Sequence, residues 1–285
     1  MNPELLVDCA CETGENPLWH PMEGRIYWVD IPAGRLYRYS PVTGRTEVFD
    51  IGIAVGGFTI QADGSLLLFM ARGAVAVWRE GVLRTVIENL PEELDSRFND
   101  VIADPVGRVF CGTMSSKTHA GRLYRLDIDR RLTTILEGVG TSNGMGFTPE
   151  CRQFYHTDTR LGEIRVYDYE RTTGVLANQR TFVKVSDAAG RPDGLTVDAD
   201  GCVWSARWDG ACIVRYDPAG LELCRIAFPA RKVSSLTFGG ADYTDMFVTT
   251  AGGNDRSRNG PGAGALFHMN LGIKGVPEFF SGIAT

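Results

Sequence analysis

Six positions recur along the chain at nearly constant spacing, and four of them carry side chains whose oxygens can bind a cation. We call them the rim positions, and they are Glu15, Gly56, Asn99, Asn143, Asp193 and Ser234. The intervals are 41, 43, 44, 50 and 41 residues, and a period of roughly 40–50 residues is typical of propeller blades. Residues at one phase of such a repeat should meet near a common axis, at one mouth of a central channel.

The four rim side chains that carry carboxylate or amide oxygens are of the types that bind hard metal ions. Glu15 and Asp193 would supply two carboxylates, which repel each other unless a cation neutralises them. Asn99 and Asn143 would add neutral amide oxygens. Such an all-oxygen set suits Ca²⁺, Mg²⁺ or Mn²⁺ better than a soft metal, and Zn²⁺ is allowed. Taken singly, the Asn-Gly and Asp-Gly pairs at 143 and 193 are ordinary turn dipeptides, so this interpretation depends on the repeat.

A site of this kind is suited to hydrolysis. A divalent ion with open water positions can polarise a carbonyl and lower the pKa of bound water. One carboxylate must take a proton, and Asp193 is the candidate because its repeat, PDGLTVDADGCVWSARWDG, is the richest in aromatic and small residues. Arg97 lies two residues before Asn99, where its guanidinium could bind substrate oxygens. A surface ion pair of Arg97 with Asp95 or Asp100 is the alternative.

Other catalytic signatures are missing from the sequence. The four histidines show no metal-ligand spacing, and no GxSxG, HExxH or phosphate-loop motif occurs. The seven cysteines include no CxxC motif, which indicates reduced thiols. The close pair Cys9 and Cys11 could bind a metal, but alternation along an N-terminal strand is the favoured interpretation.

Short strands must position these residues. The third repeat contains four β-prone runs, NDVIAD, RVFCGTM, GRLYRLDID and RLTTILEG, with the turn residues DPVG between the first two. We therefore predict an all-β fold, a six-bladed β-propeller formed by residues 1–285 as a single domain. Residues before Cys9 should add a strand to the last blade. The longer loops 115–121 and 252–266 could cover the mouth of the channel.

Composition limits the class of protein. Of the 285 residues, 44% are hydrophobic and 22% are charged, an ordinary globular balance. No apolar run approaches the roughly 20 residues that a membrane helix needs. The net charge is −6, and the basic residues are scattered, which argues against a nucleic-acid partner. Acidic residues stand where a secretory signal would be basic, so we expect a cytoplasmic protein without a membrane partner, as a monomer or small homo-oligomer.

Several motifs, in their order along the chain, resemble those of the SMP-30/gluconolactonase/luciferin-regenerating enzyme family of six-bladed propellers, also called the regucalcin family. The resemblance runs from about Glu12 to His268. The resemblance rests on these motifs: GENPLWHP, RFND with GRVFCGTM, GRLYRLD, TSNGMGF with FYHTDT, RPDGLTVDADGCVW and FVTTA. The resemblance implies a metal-dependent lactonase that hydrolyses a five- or six-membered sugar lactone to the aldonic acid.

The resemblance also implies roles for individual residues. The family's metal ligands correspond to Glu15, Asn143 and Asp193, and Asp193 also matches its proposed general base. Arg97 and Asn99 match substrate-contacting positions. The implied cofactor is one divalent ion, Ca²⁺, Mg²⁺, Mn²⁺ or Zn²⁺, and the implied partner is a small-molecule lactone.

One position departs from the family pattern. Many sugar lactonases of the family carry an acidic residue four positions before the glycine of the GxLY strand, and this chain has Lys117 there. Lys117 thus becomes a substrate-binding candidate, with His119 beside it in the same loop. A lactone with an acidic or less hydroxylated substituent is then more plausible. A calcium-binding or protein-interaction propeller and a phosphotriester hydrolase are the alternative functions.

Overall fold

The computed structural model describes residues 2–285 and confirms the six-bladed β-propeller. Each blade is a sheet of four antiparallel strands. Blade 1 comprises β2 Gly14–His20, β3 Arg25–Asp30, β4 Arg35–Ser40 and β5 Arg45–Asp50. Blade 2 comprises β6 Val55–Ile60, β7 Leu66–Met70, β8 Val75–Arg79 and β9 Val82–Ile87. Blade 3 comprises β10 Phe98–Ala103, β11 Val109–Thr113, β12 Gly121–Leu126 and β13 Leu132–Val139. Blade 4 comprises β14 Ser142–Phe147, β15 Gln153–Asp158, β16 Glu163–Glu170 and β17 Val175–Lys184. Blade 5 comprises β18 Arg191–Val197, β19 Val203–Trp208, β20 Cys212–Tyr216 and β21 Glu222–Ala227. Blade 6 comprises β22 Val233–Gly239, β23 Asp245–Thr250 and β24 Leu266–Asn270 with β1 Glu4–Val7.

The N-terminal strand closes the ring. Strand β1 pairs antiparallel with β24, as the outermost strand of blade 6. This confirms the prediction that residues before Cys9 complete the last blade. Closure joins the two ends of the repeat array, so the innermost strands are held as a continuous ring.

Helical structure is confined to short turns in the part of the chain that the structure describes. The three 3₁₀ turns are Pro91–Glu93, Asp187–Ala189 and Arg256–Asn259. Within residues 2–285, no helix is long and apolar enough to span a membrane. Neighbouring blades are held by buried aromatic side chains, for example Phe110 of blade 3 against Phe154 of blade 4, with ring centroids 4.9 Å apart.

A β-bulge lies at every rim position. The pairing of the innermost strand with its neighbour shifts register at each of these six sites, Glu15/Leu18, Val55/Gly57, Phe98/Val101, Asn143/Met145, Pro192/Leu195 and Val233/Ser235. A bulge bends the strand locally and re-aims a side chain. Each rim residue is the second or third residue of its innermost strand. The bulge is what allows a residue inside a strand to face the channel mouth.

The two rim positions without a ligand-type side chain sit at close contacts between blades. A Cβ atom on Gly56 would lie 2.0 Å from the Phe98 carbonyl oxygen of blade 3. The Ser234 hydroxyl donates a 2.5 Å hydrogen bond to the Gly14 carbonyl oxygen of blade 1. Packing between blades, rather than cation binding, therefore explains the residue types at these two positions.

Gly56→Ala is expected to lower the free energy of unfolding by about 3 kcal/mol or more, because β10 must move to admit the methyl group. Urea unfolding of the variant measures this loss. Gly282→Ala is the matched control, since a Cβ atom there would meet only Gly107 atoms at 4.0 Å. Wild-type stability of Gly56→Ala would contradict the packing that we describe.

The C-terminal segment 271–285 crosses the face of the propeller opposite the rim positions. It is hydrogen-bonded to inner-strand ends and turns of several blades, for example from the Ser281 amide to the Ile60 carbonyl (2.8 Å) and from the Ala199 amide to the Lys274 carbonyl (2.8 Å). No repeat signal predicts this segment. Because it covers that face, a ligand reaches the rim positions from the other mouth.

Candidate active site

A cavity of about 320 Å³ opens at the mouth of the channel where the innermost strands begin. Four blades line it, and each contributes three residues at equivalent positions: the rim residue, the residue two before it and a residue 15 or 16 after it. Its lining residues are Thr13, Glu15 and Ile31; Arg97, Asn99 and Met114; Thr141, Asn143 and Thr159; and Arg191, Asp193 and Trp208. The structure thus brings five of the six predicted site residues together.

Sequence reasoning missed most of the wall, although the repeat contains a signal for it. Applying the offset from Arg97 to Asn99 in every repeat would have selected Thr13, Thr141 and Arg191 as well. Trp208 lies 15 residues after its rim residue, and the Lys232 ammonium nitrogen lies 4.5 Å from its ring centroid. The wall therefore combines basic, hydroxyl and aromatic groups.

Buried carboxylates hold the backbone that leads into the candidate ligands. Asp30, at the end of β3, accepts a hydrogen bond from the Thr13 amide (2.9 Å), two residues before Glu15. Asp158, at the end of β15, accepts one from the Gly140 amide (3.0 Å) in blade 4. Charge-assisted bonds of this kind are stronger than neutral ones, so the ligand-bearing strands begin at well-defined positions.

Asn143 presents an oxygen that nothing in the described chain satisfies. Its amide nitrogen donates to the Thr159 hydroxyl (3.1 Å), which in turn donates to the Pro192 carbonyl (2.7 Å). The Asn143 Oδ1 atom is buried and has no hydrogen-bond partner within residues 2–285. An unpaired buried acceptor costs about 1–3 kcal/mol, so this oxygen calls for a ligand in the cavity.

Glu15 and Asp193 are buried carboxylates whose charged forms are disfavoured at this site. Burial raises the pKa of Glu15 to about 8, with a further contribution from the Asp100 charge. Burial also raises the pKa of Asp193 well above its usual range, with Glu15 as the next cause. The Asn16 amide donates to Glu15 Oε2 (3.0 Å) and opposes the shift only in part. Two such groups at one site bind protons or a cation near neutral pH.

These groups fit a hard divalent cation. Two carboxylates and an unpaired amide oxygen form an all-oxygen ligand set with three separate origins in the chain. Within residues 2–285, no cluster of three or more His, Cys, Asp or Glu residues is arranged to hold a metal ion. The candidate set includes only two residues of those types, and the chemistry of its third donor favours Ca²⁺, Mg²⁺ or Mn²⁺ over thiophilic metals.

Asn99 is arranged differently from Asn143. Its Oδ1 atom accepts a 2.6 Å hydrogen bond from Arg97 Nη1, and its Nδ2 atom donates to the Ser142 carbonyl (2.8 Å). Because its oxygen already has a partner, Asn99 is less suited than Asn143 to bind a cation. Its place in the cavity wall is consistent with a substrate contact instead.

Arg97 faces the cavity rather than the surface. Its Nη1 atom also donates to the Phe98 carbonyl (2.9 Å), and within the described chain no carboxylate lies within 4.0 Å of it. The alternative ion pair with Asp95 or Asp100 is therefore not formed. Burial lowers the pKa of Arg97 to about 10, which the charges of nearby carboxylates oppose, so the guanidinium stays charged near neutral pH.

The structure does not bring Lys117 to the cavity. Lys117 is exposed, in the loop between β11 and β12, and is not among the lining residues. In the same loop, His119 Nε2 lies 3.3 Å from Asp95 Oδ1. This loop lies on the same face as the cavity, because β11 runs toward that face.

Fold and site together define a six-bladed propeller with an oxygen-lined ligand cavity at one mouth. The SMP-30/Gluconolactonase/LRE-like region matches residues 13–252, and the chain belongs to this family. Pentonolactonase XacC of Haloferax volcanii is 47% identical over 290 residues, which cover 99% of both chains. Regucalcin of Gallus gallus is 31% identical over 280 residues, which cover 93% of both.

Solved structures of related propellers share the fold. A regucalcin from Agrobacterium tumefaciens, described as a calcium-binding protein, superposes with a TM-score of 0.91 at 24% identity, over 98% of this chain and 97% of that one. A luciferin-regenerating enzyme gives a TM-score of 0.90 at 24% identity, over 98% and 99%. At these identities the likeness shows the architecture alone.

Proposed function

We propose that this protein is a lactone hydrolase that depends on a divalent cation held by Glu15, Asn143 and Asp193. The observation that carries the proposal is that two buried, charge-disfavoured carboxylates and the unpaired Asn143 oxygen belong to residues that line one cavity of about 320 Å³. The pentonolactonase that is 47% identical over nearly the whole chain supports lactone hydrolysis as the reaction. All the proposed groups lie in one propeller, so we treat residues 1–285 as one functional domain.

Asp193, Arg97 and Asn99 have separate roles in the proposed reaction. A bound divalent cation would polarise the lactone carbonyl and make a water molecule more acidic. Asp193 takes the proton of the attacking water at a carboxylate oxygen, and that proton can later reach the ring oxygen as the ester bond breaks. Arg97 stays charged and binds substrate oxygens, and Asn99 is oriented by Arg97 to do the same.

The size and lining of the cavity favour a small polar substrate. A volume of about 320 Å³ is at the lower end of ligand pockets, which span roughly 300–1,000 Å³. The wall offers hydroxyl groups and guanidinium groups for sugar hydroxyls, and Trp208 offers an aromatic face for a ring. We therefore propose a five-carbon sugar lactone as the substrate, the class named in the 47% identical relative.

The proposed role of Lys117 requires movement of its loop. Its exposed position places it outside the wall, so a substrate contact would form only if the loop of residues 115–121 folds toward the mouth. Arg191 already lies in the wall and is the stronger candidate for binding a substituent of the lactone. We keep Lys117 as a secondary candidate, whose replacement by Glu would shift the preference among lactones if the loop closes.

A substrate panel tests the proposed function against its alternatives. We expect the purified protein to hydrolyse a pentono-1,4-lactone faster than a hexono-1,5-lactone, an unsubstituted butyrolactone or a phosphotriester. A chelator should abolish hydrolysis, and Ca²⁺, Mg²⁺, Mn²⁺ or Zn²⁺ should restore it. Turnover of the phosphotriester alone would favour the ester-hydrolase alternative. Cation binding without turnover of any of these compounds would favour a non-catalytic calcium-binding or interaction propeller.

Arg191→Gln is expected to raise KM for the preferred lactone roughly fivefold, with kcat changed less than about twofold. The Arg191 side chain is 56% exposed and is 4.0 Å from Asp187, so it should contribute about 1 kcal/mol of binding that substrate and transition state share. Steady-state kinetics measure both constants. Arg180→Gln, which alters an exposed arginine on β17, is the matched control. An unchanged KM in Arg191→Gln would remove this residue from the substrate site.

A further inference from the structure

Cys9 and Cys11 form a close dithiol on the segment that joins β1 to β2. Their Sγ atoms are 3.5 Å apart. The expected strand alternation is wrong here, because β1 ends at Val7 and Ala10 has a φ of 51°. This left-handed residue bends the chain between the two cysteines, and both side chains meet on one side of the bend.

The two thiols differ in access. Cys11 is fully buried, and its backbone is held at both ends, by the Gly264 carbonyl (2.9 Å) and the Gly252 amide (2.9 Å). Cys9 is half-buried, and its thiol donates to the same Gly264 carbonyl (3.1 Å). A small solute can therefore reach the Cys9 side chain, whereas the buried Cys11 side chain is not accessible from solvent.

The surroundings favour a thiolate on Cys9. The Cys11 thiol donates toward Cys9 Sγ, and this bond is the main reason that the pKa of Cys9 is lowered. The Trp28 side chain lowers it further, whereas burial opposes the shift, and so does the thiol's hydrogen bond to the Gly264 carbonyl, which is lost on ionisation. Trp28 Nε1 is itself buried with no hydrogen-bond partner within the described residues. A thiolate at Cys9 would give this indole N–H an acceptor.

We propose that Cys9 and Cys11 are an oxidation site at which a hydroperoxide closes a reversible disulfide. The Cys9 thiolate attacks one peroxide oxygen, the O–O bond breaks, and Cys9 becomes a sulfenic acid as hydroxide leaves. Cys11 then attacks the Cys9 sulfur, the S–O bond breaks, and water leaves with the Cys11 proton. Overall, two thiols and one hydrogen peroxide give one disulfide and two waters.

Little movement is needed to form the bond. The sulfur atoms must approach from 3.5 Å to about 2.05 Å, a change that rotation of the two side chains can supply. The bend at Ala10 already places them on the same side. Since the Cys11 backbone is bonded to residues at both ends of the loop 252–266, the disulfide would form next to a loop on the cavity face. Oxidation at these two cysteines would not require the proposed lactonase activity.

Peptide mapping of the full-length reduced protein after exposure to hydrogen peroxide tests the proposal. We expect the tryptic peptide ending at Arg25, which contains both cysteines, to lose about 2 Da, to resist alkylation and to recover with dithiothreitol. Exposed Cys224 should stay alkylatable at the same peroxide dose. A peptide that keeps both thiols while Cys224 is oxidised would overturn the proposal, and so would oxygen added to Cys9 or Cys11 without the loss of 2 Da.

Two variants assign the roles of the cysteines. In Cys11→Ser the disulfide cannot form, so the Cys9 sulfenic acid should accumulate and be trapped by dimedone. In Cys9→Ser, buried Cys11 should give no dimedone adduct. Cys224→Ser is the matched control and should lose 2 Da in the N-terminal peptide as the wild type does. A dimedone adduct on Cys11 but not on Cys9 would overturn the assignment, and the wild-type mapping decides the main point even if a variant does not fold.

Discussion

Asp193→Asn is expected to lower kcat/KM for lactone hydrolysis by at least about a hundredfold, because an amide cannot take the proton of the attacking water. The same change removes one of the two charges that hold the proposed cation. The substitution keeps the shape of a side chain that is only 3% exposed, so the fold should be retained. Activity assays beside far-UV circular dichroism separate loss of chemistry from loss of structure.

The metal-free stability of this variant gives an independent readout. Without a cation, Glu15 and Asp193 repel each other when charged, so chelated Asp193→Asn should melt at or above the temperature of the chelated wild type. Asp200→Asn is the matched control, because Asp200 lies in the same blade with its side chain 75% exposed. A folded Asp193→Asn that keeps most of the wild-type activity would eliminate Asp193 as the base.

Chelation is expected to abolish hydrolysis and to lower the thermal midpoint by roughly 5 °C. An ion that binds only the native state adds about 2.7 kcal/mol at a hundredfold excess over Kd. For a chain of 285 residues, the entropy of unfolding is about 0.6 kcal/mol per degree, which gives the stated shift. Thermal melts with chelator, and again after adding back each divalent ion, measure it. Unchanged melting with full activity in the chelator would show that the proposed cation site is wrong.

The effect of chelation should grow with pH. In the metal-free protein the pKa of Glu15 is raised from 4.5 to about 8, so the native state binds more protons than the unfolded state in this window. Its stability must then fall as pH rises from about 4.5 to about 8. The cation binds the deprotonated carboxylates and binds more tightly at higher pH. The gap between metal-bound and chelated midpoints should therefore be wider at pH 8 than at pH 5.

Glu15→Gln tests the charge that causes this trend. The variant has one titrating carboxylate fewer at the site, so the pH dependence of the chelated protein should become shallower and the stabilisation by metal smaller. Melts at three pH values, with and without chelator, give both quantities. An equally steep dependence in Glu15→Gln would place its origin elsewhere, for example at Asp100, whose pKa burial raises to about 7.

The sequence by itself determined the six-bladed architecture and predicted several of the residues that line the cavity. The near-constant spacing of the rim positions predicted six blades, and the residues before Cys9 were correctly assigned to the last one. The same phase selected Glu15, Asn99, Asn143 and Asp193, all of which line the cavity. A repeat makes this possible because equivalent positions in a closed ring must share one radius and one face.

Only the tertiary structure decided what each position does. Asn99 and Asn143 are indistinguishable by phase, yet Arg97 occupies the oxygen of one, and the oxygen of the other has no partner. Lys117 is close to a GxLY strand in sequence but lies outside the wall. These outcomes depend on side-chain contacts between different blades, and on bulges that re-aim the inner strands. Neither leaves a local pattern in the chain, because both arise when strands from distant repeats pack against one another.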